Sequence, residues 1–170
     1  KLMRFFTDVP NPARVLEIGC GTGLLTQLLA DRFPGVEIEG IDLAKDLVRM
    51  ASHRFAGNSN VSLHVADALT YRPGRLSQVI ASSSTFHWIT PLKDLFRNVA
   101  GMLTPDGRLI FSMMLRGTLI ELHESRRRVA HEKPVMSSLP NAEEVQAELE
   151  EAGLVVSDKH EEVVQAEYPS

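Results

Sequence analysis

Val15-Leu16-Glu17-Ile18-Gly19-Cys20-Gly21-Thr22-Gly23-Leu24-Leu25 joins a short apolar run to three alternate glycines and then to a helical pattern. Val15 to Cys20 reads as a buried parallel strand, because apolar and β-branched residues without polar alternation need cover on both faces. From Leu24 the apolar residues Leu24, Leu25, Leu28, Leu29 and Phe33 follow helical spacing, until Pro34-Gly35 stops the helix. Strand, glycine loop and helix in direct succession begin a βαβ unit.

The alternation continues outward from this stretch. Val36 to Leu43 reads as a second strand, and Ala44 to Phe55 as a helix with Leu47, Val48, Ala51 and Phe55 inward. After the Gly57-Asn58-Ser59-Asn60 turn, Val61 to Ala66 reads as a third strand. Val79 to Ser83 is the fourth, Leu92 to Leu103 a helix, and Gly107 to Met114 a fifth strand after the Pro105-Asp106-Gly107 turn. Thr118 to Val129 carries a helical pattern. Asn141 caps a further helix that contains Glu144, Val145 and Leu149 and ends at Gly153, and Leu154 to Val164 reads as a last strand. The predicted fold is therefore α/β, a mostly parallel, doubly wound sheet with helices on both faces and one domain over residues 1–170.

Composition narrows the partners. The formal charge of −4 comes from interspersed acids and bases, which leaves no broad cationic footprint for nucleic acid. The lone Cys20 cannot form an internal disulfide, and no Cys and His spacing resembles a zinc site, so neither a metal nor an oxidising compartment is expected. Lys1-Leu2-Met3-Arg4-Phe5-Phe6 lacks the apolar run of a signal peptide, and no segment approaches the roughly 20 apolar residues that cross a bilayer. The expectation is a cytoplasmic protein with neither nucleic acid nor membrane as partner.

In an open α/β sheet, ligands bind beyond the carboxyl ends of the strands where the topology reverses, and the loop after the first strand lies there. Gly19, Gly21 and Gly23 leave bare backbone that a ligand can approach and permit positive φ. A dinucleotide loop of the form G-x-G-x-x-G would place its third glycine at position 24, where this chain has Leu24, so the spacing argues against NAD. Asp42 ends the second strand about 20 residues later, where a carboxylate can accept two hydrogen bonds from a ribose diol. It is also placed to cap the following helix. Asp67, just past the third strand, can accept from the exocyclic amine of adenine or serve as a loop cap.

Glu17-x-Gly19-x-Gly21-x-Gly23, then Asp42, then Asp67-Ala68, resembles the motif series of class I S-adenosylmethionine-dependent methyltransferases, and the match runs in order from Val15 to Met114. The resemblance implies a Rossmann-like fold with S-adenosylmethionine as cofactor. It further implies that the glycine loop, with Cys20 in it, passes the methionine part, that Asp42 holds the ribose and that Asp67 meets adenine. Glu17 would orient the loop or the cofactor's amino end, Leu43 would flank adenine, and Ser82 or Ser83 would face the cofactor near its methyl.

A second likeness begins at Ile80-Ala81-Ser82-Ser83-Ser84-Thr85-Phe86-His87-Trp88 and continues through Phe111-Ser112-Met113-Met114-Leu115-Arg116-Gly117-Thr118-Leu119-Ile120-Glu121-Leu122-His123 and Leu139-Pro140-Asn141-Ala142-Glu143-Glu144. These phrases resemble the malonyl-acyl-carrier-protein O-methyltransferases of biotin synthesis. That group esterifies the free carboxylate of a carrier-bound malonyl thioester. Methyltransferases of small free acids such as aconitate share the His-Trp region, and a nucleotide-binding domain without catalysis is the third reading.

A carboxylate is already ionised at neutral pH, so no general base is required. His87 then shapes the pocket or donates a hydrogen bond, with base as the lesser alternative. Phe86 and Trp88 either wall the pocket or form core beneath the loop. Arg116 either pairs with the substrate carboxylate or lies solvated on the surface. Arg126-Arg127-Arg128, with His131 and Lys133, is the densest basic cluster. It suits docking of an acidic acyl carrier protein or, equally, a solvated helix end. By the same family resemblance, an amino-terminal lid and a last carboxy-terminal helix and strand are expected outside these residues.

Overall fold

The computed structural model describes residues 1–121 and 139–164. Strands β1 (Arg14–Ile18), β2 (Glu37–Asp42), β3 (Val61–Val65), β4 (Ser77–Ser83) and β5 (Leu103–Ser112) pair in parallel, in the order β3-β2-β1-β4-β5. The chain enters at the centre, steps outward to β3 and then returns to the other side of β1. The reversal falls between β1 and β4, and the loops leaving their carboxyl ends diverge there to leave a crevice.

All five residues of β1 are buried, as an apolar run covered on both faces requires. On one face Leu16, Ile18, Ile41 and Ile80 meet helix α3 (Leu92–Met102) and helix α4 (Ala142–Glu151). On the other, Val15, Ile38, Val79 and Ala81 pack with helix α1 (Leu24–Arg32) and the 3-10 turn Leu2–Phe6. Helix α2 (Lys45–Arg54) lies against β2 and β3 and buries Val48 and Ala51. Arg14, buried at the start of β1, is neutralised by ion pairs to Glu37 and Glu39 of β2. A charge so placed needs such partners.

The α4 start follows its sequence closely. The Asn141 side chain accepts from the Glu144 N–H at 2.8 Å, and Glu144 Oε2 accepts from the Asn141 N–H at 2.9 Å, a complete capping box.

Elsewhere the sequence reading is corrected. Pro105-Asp106-Gly107 is not a separate turn, because β5 starts at Leu103 directly after α3. A register shift between Ser77 and Val79 absorbs the extra residues. Leu47, read as inward, is 38% exposed, and of the helically spaced leucines of α1, Leu24 and Leu28 stand 67% and 49% exposed. Leu25, Leu29 and Phe33 complete the stripe that α1 buries. Leu154 to Val164 forms no strand: among the described residues no neighbour offers it a ladder, and Val155 and Val163 stand 90% and 88% exposed. The predicted helix Thr118–Val129 lies mostly outside the described residues, and residues 116–119 form a turn.

Candidate functional site

A cavity of about 690 Å³ opens at the carboxyl ends of β1, β2, β3 and β4. Its floor is the glycine loop. The N–H groups of Gly19 and Cys20 both donate to the Ile41 carbonyl, at 2.7 and 3.0 Å, folding the loop over the end of β2. This path needs φ of +77° at Gly19, +52° at Gly21 and +83° at Gly23, a region that side chains disfavour. Only Gly19 and Gly21 of the three line the cavity. A Cβ on Gly19 would also overlap the Thr85 side chain, whereas Gly21 faces open space. Gly23 instead lets α1 approach α2, since a Cβ there would sit 2.7 Å from Phe55 Cε2.

Asp42 ties the loop to the next helix. Its Oδ2 accepts from Gly21 N–H and its Oδ1 from Ala44 N–H, both at 2.8 Å. The two roles weighed for it therefore coexist: each oxygen binds one amide, and each keeps a further lone pair for a ligand hydroxyl. Asp67 lines the same cavity from the β3 side. Its Oδ1 accepts from Leu69 N–H at 2.9 Å, and its carbonyl from Tyr71 N–H at 2.8 Å, which makes a tight turn. Ala68 and Leu43 line the cavity too, the first buried and the second 72% exposed. The ionisable side chains in this lining are the two aspartates, so its potential favours a cationic ligand.

Glu17 lies beneath the floor, outside the lining. It is buried, and its Oε2 accepts from the Thr26 hydroxyl at 2.6 Å. Burial, with Asp42's negative charge adding to it, pushes its carboxyl up to about 8, so it is largely protonated at neutral pH. Cys20 is also buried under the loop, near Gly40, and burial with the charges of Glu17 and Asp42 raises its thiol to about 12. It does not line the cavity: its N–H goes to the Ile41 carbonyl and its carbonyl accepts from Gly23 N–H, so it holds the loop's shape rather than touching a ligand. Ser82 is buried and donates to the Ile18 carbonyl at 2.8 Å, which leaves Ser83 as the serine of the pair that lines the cavity.

The far wall is the segment after β4. Ser84 takes φ of +55°, unusual for a residue with a side chain, and Thr85 donates to the Ser83 carbonyl at 3.1 Å. Trp88 and Ile89 follow at the rim, the indole 66% exposed. Phe86 is corrected to core: it packs 5.0 Å from Phe111 and 5.9 Å from Phe96 between ring centroids. His87 Nδ1 accepts from Met114 N–H at 3.4 Å, and its buried Nε2 has no partner among the described residues. Burial lowers its pKa, which keeps the ring neutral. Arg116 is not in the cavity lining. Its guanidinium binds both oxygens of Glu144, at 2.8 and 2.9 Å, and the Leu139 carbonyl at 3.3 Å.

Sequence reasoning missed Ser84, Thr85, Leu47 and Ile89. Thr85 had a signal, since it stands two residues past β4 at the crevice, but its pressure on Gly19 is visible only in three dimensions. The Arg126-Arg127-Arg128 cluster lies outside the described residues. Among the described residues no cluster of His, Cys, Asp and Glu is fit for a metal, and no helix is long and apolar enough to cross a membrane.

A family model described as a methyltransferase domain matches residues 1–159. Malonyl-acyl-carrier-protein O-methyltransferase 2 of Ilyobacter polytropus is 27% identical over 96% of this chain and 63% of its own length. The malonyl-acyl-carrier-protein O-methyltransferase of Geobacter sulfurreducens is 36% identical over 78% of this chain and 50% of its own, and that of Bacillus anthracis 36% over 73% and 46%. The chain thus spans between about half and two thirds of the length of these relatives. In fold it is similar to the Brevibacillus brevis O-methyltransferase of a trans-AT PKS multienzyme, solved with S-adenosyl-L-homocysteine (TM-score 0.72, 19% identity, 92% of this chain and 52% of that one). It is likewise similar to Haemonchus contortus phosphoethanolamine N-methyltransferase 2 with S-adenosyl-L-methionine (TM-score 0.71, 22% identity, 89% and 35%).

Proposed function

Since the chain belongs to the methyltransferase-domain family, we propose that its cavity binds S-adenosylmethionine and that the whole enzyme esterifies the free carboxylate of a carrier-bound malonyl group. The observation that carries the cofactor reading is the Gly19-Gly21 ledge locked to Asp42, whose carboxylate keeps acceptor sites for a ribose diol. Asp67 stands where an adenine amine would meet it, with Leu43 and Ala68 as apolar flanks. The substrate reading is supported by the names of the Ilyobacter, Bacillus and Geobacter relatives and by the likeness of the Ile80 to His123 phrases to that group.

The chemistry divides simply. The bound sulfonium supplies an activated methyl group and a neutral leaving group. The protein's part is to hold the cofactor on the Gly19-Gly21 ledge, aim the acid along the methyl–sulfur axis and keep water away. Ser83, Ser84 and Thr85 offer hydroxyls beside that path, and Trp88 with Ile89 gives an apolar wall that suits a thioester arm. His87 serves as a neutral brace between the turn and the end of β5 rather than as a base. The Arg126-Arg127-Arg128 run remains the candidate docking point for the acidic carrier.

Mass spectrometry of malonyl-carrier protein incubated with the full-length enzyme and cofactor tests the assignment. A gain of one methyl group on the malonyl moiety is expected. Methylation of trans-aconitate with the carrier left untouched would move the enzyme to the small-acid class, and cofactor binding without transfer to either would make it a non-catalytic domain.

A further inference from the structure

Helix α3 carries one polar side chain on its buried face. Asn98 sits among Leu95, Phe96, Val99 and Met102, where an amide is tolerated only if hydrogen-bonded. Its Nδ2 donates to the Ala68 carbonyl at 2.6 Å and to the Tyr71 carbonyl at 3.2 Å. The need for a donor there follows from the connection between β3 and β4. Thr70 and Tyr71 N–H both bond to the Asp67 carbonyl, one helical turn begins, and it goes no further. The carbonyls of that turn lose the partners a longer helix would supply. The exposed Arg72 side chain reaches the Tyr71 carbonyl as well, at 2.7 Å, but Ala68 is buried and its carbonyl is met by Asn98. The same turn presents Asp67 and Ala68 to the cavity.

We infer that Asn98 is a positioning residue: from the core, it fixes the Asp67-Ala68 turn and thereby sets how strictly the site selects its nucleobase. The inference rests on the proposed reading of that turn as the adenine end of the cofactor site. The two protons of one amide nitrogen match two carbonyls, so an isosteric carboxylate at this position has no donor for either and repels both.

The test is calorimetric binding of S-adenosylhomocysteine and of S-inosylhomocysteine, whose base carries a carbonyl in place of the exocyclic amine. Wild type should prefer the adenine compound. In Asn98→Asp the adenine compound should bind about tenfold more weakly and the preference should shrink toward one. Should that variant not fold, Asn98→Ser serves in its place. Val99→Ala, which loosens the same helix but removes no hydrogen bond to the turn, should keep the wild-type preference. Wild-type affinity and preference in the Asn98 variants would overturn the inference, as would equal loss in Val99→Ala. Failure of wild type to bind either compound would instead overturn the cofactor reading beneath it.

Discussion

The β1-β2 side of the cavity and its β4-β5 side are built by different means. On the first, backbone does the shaping: three left-handed glycines, two amides on the Ile41 carbonyl, and a carboxylate that clasps Gly21 and Ala44. On the second, side-chain packing does it: Phe86 clustered with Phe96 and Phe111, His87 braced on Met114, Trp88 and Ile89 at the rim. Backbone geometry admits few residue types, whereas an apolar wall admits many. Strict demands therefore cluster at the proposed cofactor end, and the packed wall proposed for the substrate tolerates more residue types.

If that contrast is right, Gly19→Ala has the largest effect. A Cβ at φ +77° that also overlaps Thr85 displaces the ledge, and cofactor affinity should fall at least about thirtyfold, read by calorimetry. Trp88→Ala probes the other side. It should leave cofactor affinity unchanged while raising KM for the acid substrate roughly fivefold in steady-state kinetics. Equal damage to both ligands by either variant would dissolve the distinction between the two walls.

Glu17→Gln sharpens it by pH. The buried carboxyl titrates near 8, against 4.5 as its ordinary value, so the folded chain holds a proton that the unfolded chain releases between those values. Its contribution to stability is therefore complete below about 4.5 and is lost as pH rises toward 8. Thermal melts of wild type should decline across that window, and those of Glu17→Gln should decline less. The smallest effect belongs to Arg116→Ala, which removes an exposed pair with Glu144. The melting temperature should move by about a degree and cofactor affinity not at all. A large rise in substrate KM would return Arg116 to the carboxylate role its chemistry first suggested.

The same contrast explains what could be read without coordinates. Gly19, Gly21, Asp42 and Asp67 declare themselves because turns and strand ends demand those residue types at those intervals, and the parallel pairing follows from strands alternating with helices, whereas the β3-β2-β1-β4-β5 order is seen only in the fold. Helix α4 was legible through its Asn141 cap. Phe86 was not, since an aromatic residue beside a loop is as much core as wall. Ser82 and Ser83 are neighbours of identical type, and only the pleat of β4 decides that the first turns into the sheet. Leu154 to Val164 misled because β-branched valines state a capacity to pair, while a strand also needs a neighbour, and none is found among the described residues. Arg116 stayed open between substrate partner and surface residue because its partner Glu144 lies 28 residues away.

One titration meets the central claim head on: S-adenosylmethionine, and separately NAD, added to the full-length wild-type protein in a calorimeter. Saturable binding of S-adenosylmethionine at a single site, with no heat from NAD, is the predicted outcome. Binding of NAD, or silence with S-adenosylmethionine at saturating concentration, would contradict it.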